Sequence, residues 1–232
     1  MKSIRTLALV TGLLALSGVS HAQFSSTWTF VSDYDFRGVS QSGKDPAIQA
    51  SADYAFGESG LSAGIWASNI NWGVDDDLET DYYFNYAGKI NDTFAFTAGV
   101  TYYDYPLGGG LGGYPEGYIG FNAGGFGFKQ WYSNDFVAAD ETAEYSEANF
   151  SQAWDKFSLN LHVGYSWGDY WDAVGGEVAD YAVQGNYSAG NLTFFVKFTA
   201  TDASNEMKVE DDIGNNEARF LFGVTTTLPW SK

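Results

Sequence analysis

The chain has 232 residues, of which 18% are aromatic and 17% are charged, and its 29 Asp and Glu outnumber its 11 Lys and Arg, for a formal charge of −18. This acidic surplus excludes a nucleic-acid-binding protein, because phosphates need basic partners. The abundance of aromatic residues argues against a disordered chain. Because the chain has no cysteine, it has neither disulfides nor thiolate metal sites.

The chain opens with a predicted secretory signal peptide, residues 1–22. Lys2 and Arg5 give it a positive start, an apolar run follows, and small residues precede the expected cleavage point after Ala22. A retained membrane anchor is the alternative, but the apolar run is short for a bilayer span. We expect residues 23–232 to form a single domain.

The mature chain alternates between apolar and polar residues with a period of two, which is typical of strands with two different faces. The clearest example is the stretch Phe157–Trp167, whose odd-numbered residues are apolar or aromatic and whose even-numbered residues are small or polar. Turn residues separate twelve such predicted strands. In chain order they cover residues 26–36, 47–56, 61–72, 79–90, 93–105, 114–121, 126–133, 143–154, 157–167, 180–187, 192–201 and 217–228.

The connections between these strands alternate between short and long. Those after the even-numbered strands have two to four residues, and those after the odd-numbered strands are mostly longer and rich in Gly, Asp and Glu. An outer-membrane barrel keeps its short turns at one end and its long loops at the other, whereas a soluble sandwich has no reason to do so. The predicted fold is therefore all-β, a closed antiparallel transmembrane β-barrel of 12 strands, closed because lipid offers no partner to an edge strand.

Residues 31–42, VSDYDFRGVSQS, with 45–49 and 53–54, resemble the opening signature of the TorF-type porins, a family of exported proteobacterial proteins, and residues 64–69, GIWASN, strengthen the match. The specific part of this resemblance covers residues 31–69. It implies a barrel in the outer membrane of a Gram-negative bacterium, assigned as a porin. The resemblance assigns no catalytic or binding residues to this chain.

The last predicted strand ends near Leu228 and Trp230, as in barrels that present their C-terminal strand to the outer-membrane assembly machinery. We expect this machinery, outer-membrane lipids and lipopolysaccharide as partners, and small solutes or ions as cargo. Whether several copies form an oligomer is left open.

The inner face of the barrel decides its function. Twelve tilted strands close a ring roughly 24 Å across, which leaves space for water between small inward side chains. We predict a porin-like channel for passive passage of small hydrophilic solutes or ions, with a cation preference because inward carboxylates outnumber inward cations. The candidate pore-lining residues are Asp33, Asp35, Arg37, Asp53, Asp81, Lys129, His162, Lys197 and Arg219. Further acidic residues predicted to face inward are Glu79, Glu116, Glu144 and Asp180.

Other functions remain open. If the inward charges pair across the lumen, the protein is a non-conducting structural or ligand-binding barrel, and a secreted soluble barrel for small apolar ligands is a third possibility. A lipid hydrolase would need a Ser/His pair on the lipid side, but the single mature histidine, His162, is predicted to face inward. We therefore expect no enzymatic activity.

No cofactor or metal site is predicted. The acidic runs at 75–77 and 210–212 lack the spaced oxygen ligands of a calcium loop. The glycine-rich residues 107–113 lack the Lys-Ser/Thr of a phosphate-binding loop. Tryptophans are predicted to form girdles at the two membrane interfaces, and these are Trp28, Trp72, Trp131, Trp154, Trp167 and Trp171.

Overall fold

Twelve antiparallel strands form one closed barrel in a computed structural model that describes residues 24–72, 78–107, 112–203 and 217–230. In chain order, the strands are β1 (Phe24–Val31), β2 (Asp35–Phe36), β3 (Val39–Ser40), β4 (Ala47–Ala55), β5 (Leu61–Asn69), β6 (Leu78–Lys89), β7 (Phe94–Asp104), β8 (Tyr114–Ala123), β9 (Phe126–Ser133), β10 (Ala143–Trp154), β11 (Phe157–Trp167), β12 (Val178–Ala189), β13 (Leu192–Thr201) and β14 (Arg219–Leu228). The barrel consists of β1 and β4–β14, each paired with its neighbours in the chain, and β1 closes the ring on β14. The hairpin of β2 and β3 is separate.

The period-two pattern gives the barrel an apolar outside and a polar inside. On β11, Val163 is 54% exposed on the outer face, and its cross-strand partner Tyr181 is 48% exposed. The adjacent residue His162 points inward and pairs with Asn149 of β10. This is the reverse of a soluble barrel, and it is the arrangement of a transmembrane barrel.

The predicted twelve strands are confirmed, and the bounds of β9, β10, β11 and β13 are those predicted. Two predictions about the wall are wrong. The first strand ends at Val31 rather than at residue 36, so Tyr34 and Phe36 leave the wall instead of facing lipid. Glu144 was predicted to face inward, but it pairs with the outward Trp167, while the next residue, Tyr145, is the inward one.

The tightest packing lies at the long-loop end of the barrel rather than at its centre. Here a 3₁₀ turn, Phe136–Ala138, and a short helix α1 (Asp169–Val174) cover the mouth. A buried cluster joins loop and strand residues, including Ile70, Tyr103 and Tyr114. No helix in the described ranges has the length and apolar character needed to cross a membrane.

Several predictions concern residues outside the described ranges. These are the signal peptide, the acidic runs at 75–77 and 210–212, and most of the glycine-rich stretch.

Candidate functional site: the barrel lumen

Residues 32–46, called here the lumen segment, connect β1 to β4 through the inside of the barrel. Its hairpin, β2 and β3, turns at Arg37 and Gly38, whose φ angles are 50° and 81°. Two consecutive positive φ values define the two-residue turn that matches the twist of a hairpin. A Cβ on Gly38 would lie 2.8 Å from the Cβ of Thr201, so the turn packs closely on the wall and needs glycine there.

Two carboxylates attach the lumen segment to β13 and β14. Asp33 accepts a hydrogen bond from Arg219 Nε at 2.6 Å, and Asp35 accepts one from Lys197 Nζ at 2.6 Å. A second nitrogen of Arg219 donates to Asp35, so one guanidinium bridges both carboxylates. Ser40 of the same segment donates a hydrogen bond to Asp33. All four charged side chains are largely buried, which makes these charge-assisted bonds stronger than surface pairs.

A third ion pair attaches the lumen segment to the opposite wall. Arg37 Nη1 and Nη2 donate to Glu116 Oε1 and Oε2 at 3.1 and 2.7 Å. The Arg37 guanidinium also lies 4.1 Å from the ring centroid of Tyr145. Burial is the largest single influence and disfavours the charge of Arg37, but Glu116, Tyr103 and Tyr145 together outweigh it and raise the pKa of Arg37 above its ordinary value. Glu116 belongs to β8, six strands away from β14 around the ring. The lumen segment therefore crosses the barrel from one side to the other.

The segment contacts a third part of the wall through Tyr34. Its hydroxyl donates to Glu79 Oε1 of β6 at 3.3 Å, and its ring centroid lies 5.3 Å from that of Trp66 on β5. Burial, assisted by the negative charge of Glu79, raises the pKa of Tyr34 well above its ordinary value, so the phenol stays a donor.

The inner wall at β4–β6 is acidic. Glu79 and Asp81 lie two residues apart on the inner face of β6, and Asp53 of β4 accepts a hydrogen bond from Tyr83. None of these three carboxylates forms an ion pair within the described ranges. This side of the lumen thus carries carboxyl groups that no described cation pairs with.

On the other side, β10–β12 hold a continuous polar network. His162 Nε2 lies 2.8 Å from Asp180 Oδ1, and His162 Nδ1 lies 2.8 Å from Asn149 Oδ1. Tyr145 donates its hydroxyl to Asp180 at 3.0 Å, which connects the network to the aromatic ring under Arg37.

The network continues onto β9 through Glu147 of β10. Glu147 accepts hydrogen bonds from Asn149 Nδ2 and from Trp131 Nε1, both at 2.9 Å. The Lys129 ammonium lies 4.4 Å from the ring centroid of Tyr118 and 5.0 Å from that of Trp131. This side of the lumen therefore places Lys129 and His162 among its carboxylates, unlike the wall of β4–β6.

A cavity of about 180 Å³, called here the mouth cavity, lies between the lumen segment and the long loops. Six aromatic residues line it: Phe36, Trp72, Tyr105, Tyr114, Phe136 and Trp171. Arg37, Gln41, Glu79 and Ser166 are the polar residues in its lining. Trp72 Nε1 donates to Gln41 Oε1 at 3.1 Å, whereas the buried Trp171 Nε1 has no hydrogen-bond partner among the described residues.

The nine candidate pore-lining residues all lie inside the barrel, but they fall into two groups. Five of them form the ion pairs of the lumen segment and its tethers: Asp33, Asp35, Arg37, Lys197 and Arg219. The other four lie on the wall: Asp53, Asp81, Lys129 and His162. That Asp33, Asp35 and Arg37 would leave the wall was not predicted.

The predicted tryptophan girdle is confirmed for three of its six residues and wrong for the other three. Trp28, Trp154 and Trp167 lie exposed on the outer face, as predicted. Trp72 and Trp171 instead line the mouth cavity, and Trp131 lies in the lumen beside Glu147. Trp131 has the parity of Lys129, so the alternation itself could have placed it inside.

An apolar outer wall around an ion-paired, polar lumen defines the class of outer-membrane-type β-barrels. Across the described ranges, no group of three or more His, Asp or Glu is arranged to hold a metal ion. The chain belongs to the family described as "Bacterial protein of unknown function (Gcw_chp)", whose model matches residues 15–228. No curated protein matches the chain in sequence.

Solved porins have a similar fold. The KdgM porin is 11% identical, with a TM-score of 0.56 over 87% of this chain and 98% of that one. The NanC porin is 11% identical, with a TM-score of 0.55 over 88% and 98% of the two chains. The KdgM porin in complex with disordered oligogalacturonate gives 10% identity and a TM-score of 0.55 over 87% and 98%. At such identities, the likeness is one of fold, and the TorF-type assignment stays a prediction.

Proposed function

We propose that this protein is an outer-membrane channel for passive passage of small hydrophilic solutes or ions. The observation that carries this proposal is a closed barrel whose lumen is lined with polar groups and narrowed by one inserted segment. The fold it shares with porins supports the outer membrane as its location. The predicted signal peptide and C-terminal strand would serve export and assembly there.

The solute path is proposed to follow the wall of β4–β6. The ion pairs of the lumen segment occupy β13, β14 and β8, while no described cation pairs with Asp53, Glu79 or Asp81. Rings of carboxylates favour cations in a pore. We therefore propose a preference for cations. The wall residues Lys129 and His162 lie on the opposite side of the lumen, among Glu147 and Asp180, and are not part of this proposed path.

The acidic wall also bears on the kind of solute. The KdgM porin forms a complex with oligogalacturonate, which is a polyanion. Such a ligand would meet unpaired carboxylates here, and like charges at close range repel. We do not expect this chain to share that ligand.

A non-conducting barrel is the second candidate. It is favoured by the three ion pairs that hold the lumen segment across the barrel and by the aromatic cluster at the mouth. In this case the inserted segment would stabilise a closed lumen.

Planar-bilayer recordings of refolded residues 23–232 in a potassium chloride gradient distinguish these candidates. We expect single-channel conductance and a reversal potential of the sign given by cation preference. The double variant Asp53→Asn and Asp81→Asn should lower the cation-to-anion permeability ratio by about twofold or more, because it removes two carboxyl groups from the acidic wall. The matched control, Glu58→Gln with Asp92→Asn, removes two exposed acids in the short turns and should leave the ratio unchanged. Absence of channels would refute the proposal in favour of the second candidate, and an anion-selective reversal would refute the cation preference.

A further inference from the structure

We propose that the mouth cavity binds a small quaternary ammonium compound with an oxygen acceptor close to its charge. This inference rests on the proposed function, since it names the class of solute that the channel would select. The cavity is walled by the lumen segment, the 3₁₀ turn, α1 and the ends of the strands. The Arg37 guanidinium lies 4.7 Å from the ring centroid of Phe36 and 6.0 Å from that of Phe136. The rings left for a ligand are therefore those of Trp72, Tyr105, Tyr114 and Trp171.

The charge of the cavity favours a cation. Two charged residues line it, and Arg37 is already paired bidentately with Glu116. Glu79 is only 3% exposed; besides the hydrogen bond from Tyr34 it shares one with Asp81, so the two carboxyl groups hold at most one negative charge between them, and no described cation pairs with it. A buried carboxylate without a counter-charge is costly. A bound cation would supply that counter-charge.

The aromatic walls favour a weakly hydrated cation over an ordinary amine. Rings attract cations through their quadrupoles, and quaternary ammonium groups bind in aromatic cages because they need no hydrogen bonds. Trp72 and Tyr105 meet with ring centroids 4.9 Å apart, and Phe136 joins Tyr114 at 5.1 Å and Trp171 at 5.8 Å. A primary ammonium depends on hydrogen bonds to acceptors, whereas a trimethylammonium group is bound by the rings themselves.

The size of the cavity limits the ligand. A dry cavity of about 150 Å³ holds benzene, so 180 Å³ accommodates about seven non-hydrogen atoms. This volume is well below the roughly 300–1,000 Å³ of sites for drug-sized ligands. A monosaccharide has about twice as many heavy atoms as fit by this measure, whereas a trimethylammonium head with a short arm fits.

The need for an oxygen acceptor on the ligand is inferred from Trp171. Its buried indole N–H has no acceptor among the described residues, although buried donors are nearly always paired. A hydroxyl or carboxylate oxygen on the arm of the ligand would complete this bond. Choline has both features and is the probe of choice.

Binding can be measured on the refolded mature chain in detergent by titration calorimetry and by tryptophan fluorescence, since Trp72 and Trp171 line the cavity. We expect choline to bind saturably, at least about tenfold more tightly than its neutral analogue with carbon in place of the quaternary nitrogen. Equal binding of the two compounds, or no saturable binding of choline, would overturn the proposal. This comparison uses the unmodified protein and does not depend on any variant folding.

Variants then assign the roles of the residues. Glu79→Gln keeps the shape and the acceptor for Tyr34 but should weaken choline binding about tenfold or more. The control Glu177→Gln removes an exposed acid at the same mouth, outside the cavity, and should leave the affinity unchanged. Trp171→Phe should weaken choline more than tetramethylammonium, because both lose part of the ring's attraction for the cation but only choline loses a hydrogen bond to its oxygen. Wild-type affinity in a folded Glu79→Gln protein would refute the site.

The binding assay needs no bilayer, so the two proposals can fail separately. Binding of choline without conductance would refute the channel proposal and support the binding site. Conductance without binding would refute the binding site and support the channel proposal.

Discussion

Replacing Arg37 by methionine should open the lumen, because Arg37 holds the lumen segment against β8. Methionine keeps an apolar side chain of similar length, so the change removes mainly the guanidinium. Glu116, only 1% exposed, would then be buried without its counter-charge. Breaking a buried ion pair in this way costs about 3–5 kcal/mol, and the contact of the guanidinium with the Tyr145 ring adds about 0.5–2 kcal/mol.

This loss of free energy destabilises the docked position of the lumen segment. It does not destabilise the barrel wall, because hydrogen bonds between neighbouring strands hold the wall together. At about 1.4 kcal/mol for each factor of ten, a loss of about 3–5 kcal/mol raises the population of the displaced segment by a factor of roughly 10² to 10³ or more. We expect larger or longer openings of the Arg37→Met variant in planar bilayers, while the heat-shifted gel mobility still reports a folded barrel.

The double variant, Arg37→Met with Glu116→Leu, provides the decisive comparison. Replacing both partners of a buried pair by apolar groups is often close to neutral. We therefore expect the double variant to conduct more like the wild type than like Arg37→Met, with a coupling energy between the two positions well above about 0.5 kcal/mol. If Arg37→Met, folded, conducts as the wild type does, the lumen segment does not control the pore and this reasoning is refuted.

Two further changes test the segment and the wall. Gly38→Ala should also increase channel openings in bilayer recordings, because the new Cβ would lie 2.8 Å from Thr201 at a φ of 81°; unchanged openings would show that the turn tolerates the contact. Val163→Arg should lower the free energy of unfolding in lipid bilayers by about 2–4 kcal/mol, since it puts a charge on the lipid-facing surface. Asn160→Arg, which changes an inward residue three positions before Val163 on β11, should lower this free energy much less when both variants are unfolded by urea, and equal losses would contradict the assignment of the two faces.

The barrel wall was predictable because each strand has one face toward lipid and one toward the lumen, so apolar and polar residues alternate along its sequence. On β11, apolar and polar residues alternate without interruption, and the predicted bounds coincide with the observed ones. Closure followed from the lack of any hydrogen-bonding partner in lipid. No long-range information was needed for either inference, since strands adjacent in the chain are also adjacent in the ring.

The lumen segment was not predictable in the same way. Its first residues continue the alternation of β1, with Tyr34 and Phe36 in the outward register, so a local pattern cannot separate a wall strand from a hairpin inside the barrel. What separates them is the contacts of the carboxylates with Lys197 and Arg219, more than 160 positions further along the chain. Such pairs become apparent only in the fold.

The aromatic residues were misassigned for a related reason. Tryptophan was expected at the membrane interfaces, where one end of the ring is apolar and the other meets water. A lumen that contains a polar segment also offers a surface for the ring and polar partners for the N–H. Trp131 packs its ring beside Lys129 and donates its N–H to Glu147.

The stretches that resemble the TorF-type signature meet one another in the lumen. Tyr34, from the first stretch, packs on Trp66, from the last one. Asp53 lies on the same acidic wall as Glu79, to which Tyr34 donates. A barrel wall requires only alternation, which many residues satisfy, whereas a segment docked inside a barrel requires particular side chains at particular positions. The most specific part of this sequence therefore encodes the lumen segment and the wall that receives it, and this is where changes of function should be sought.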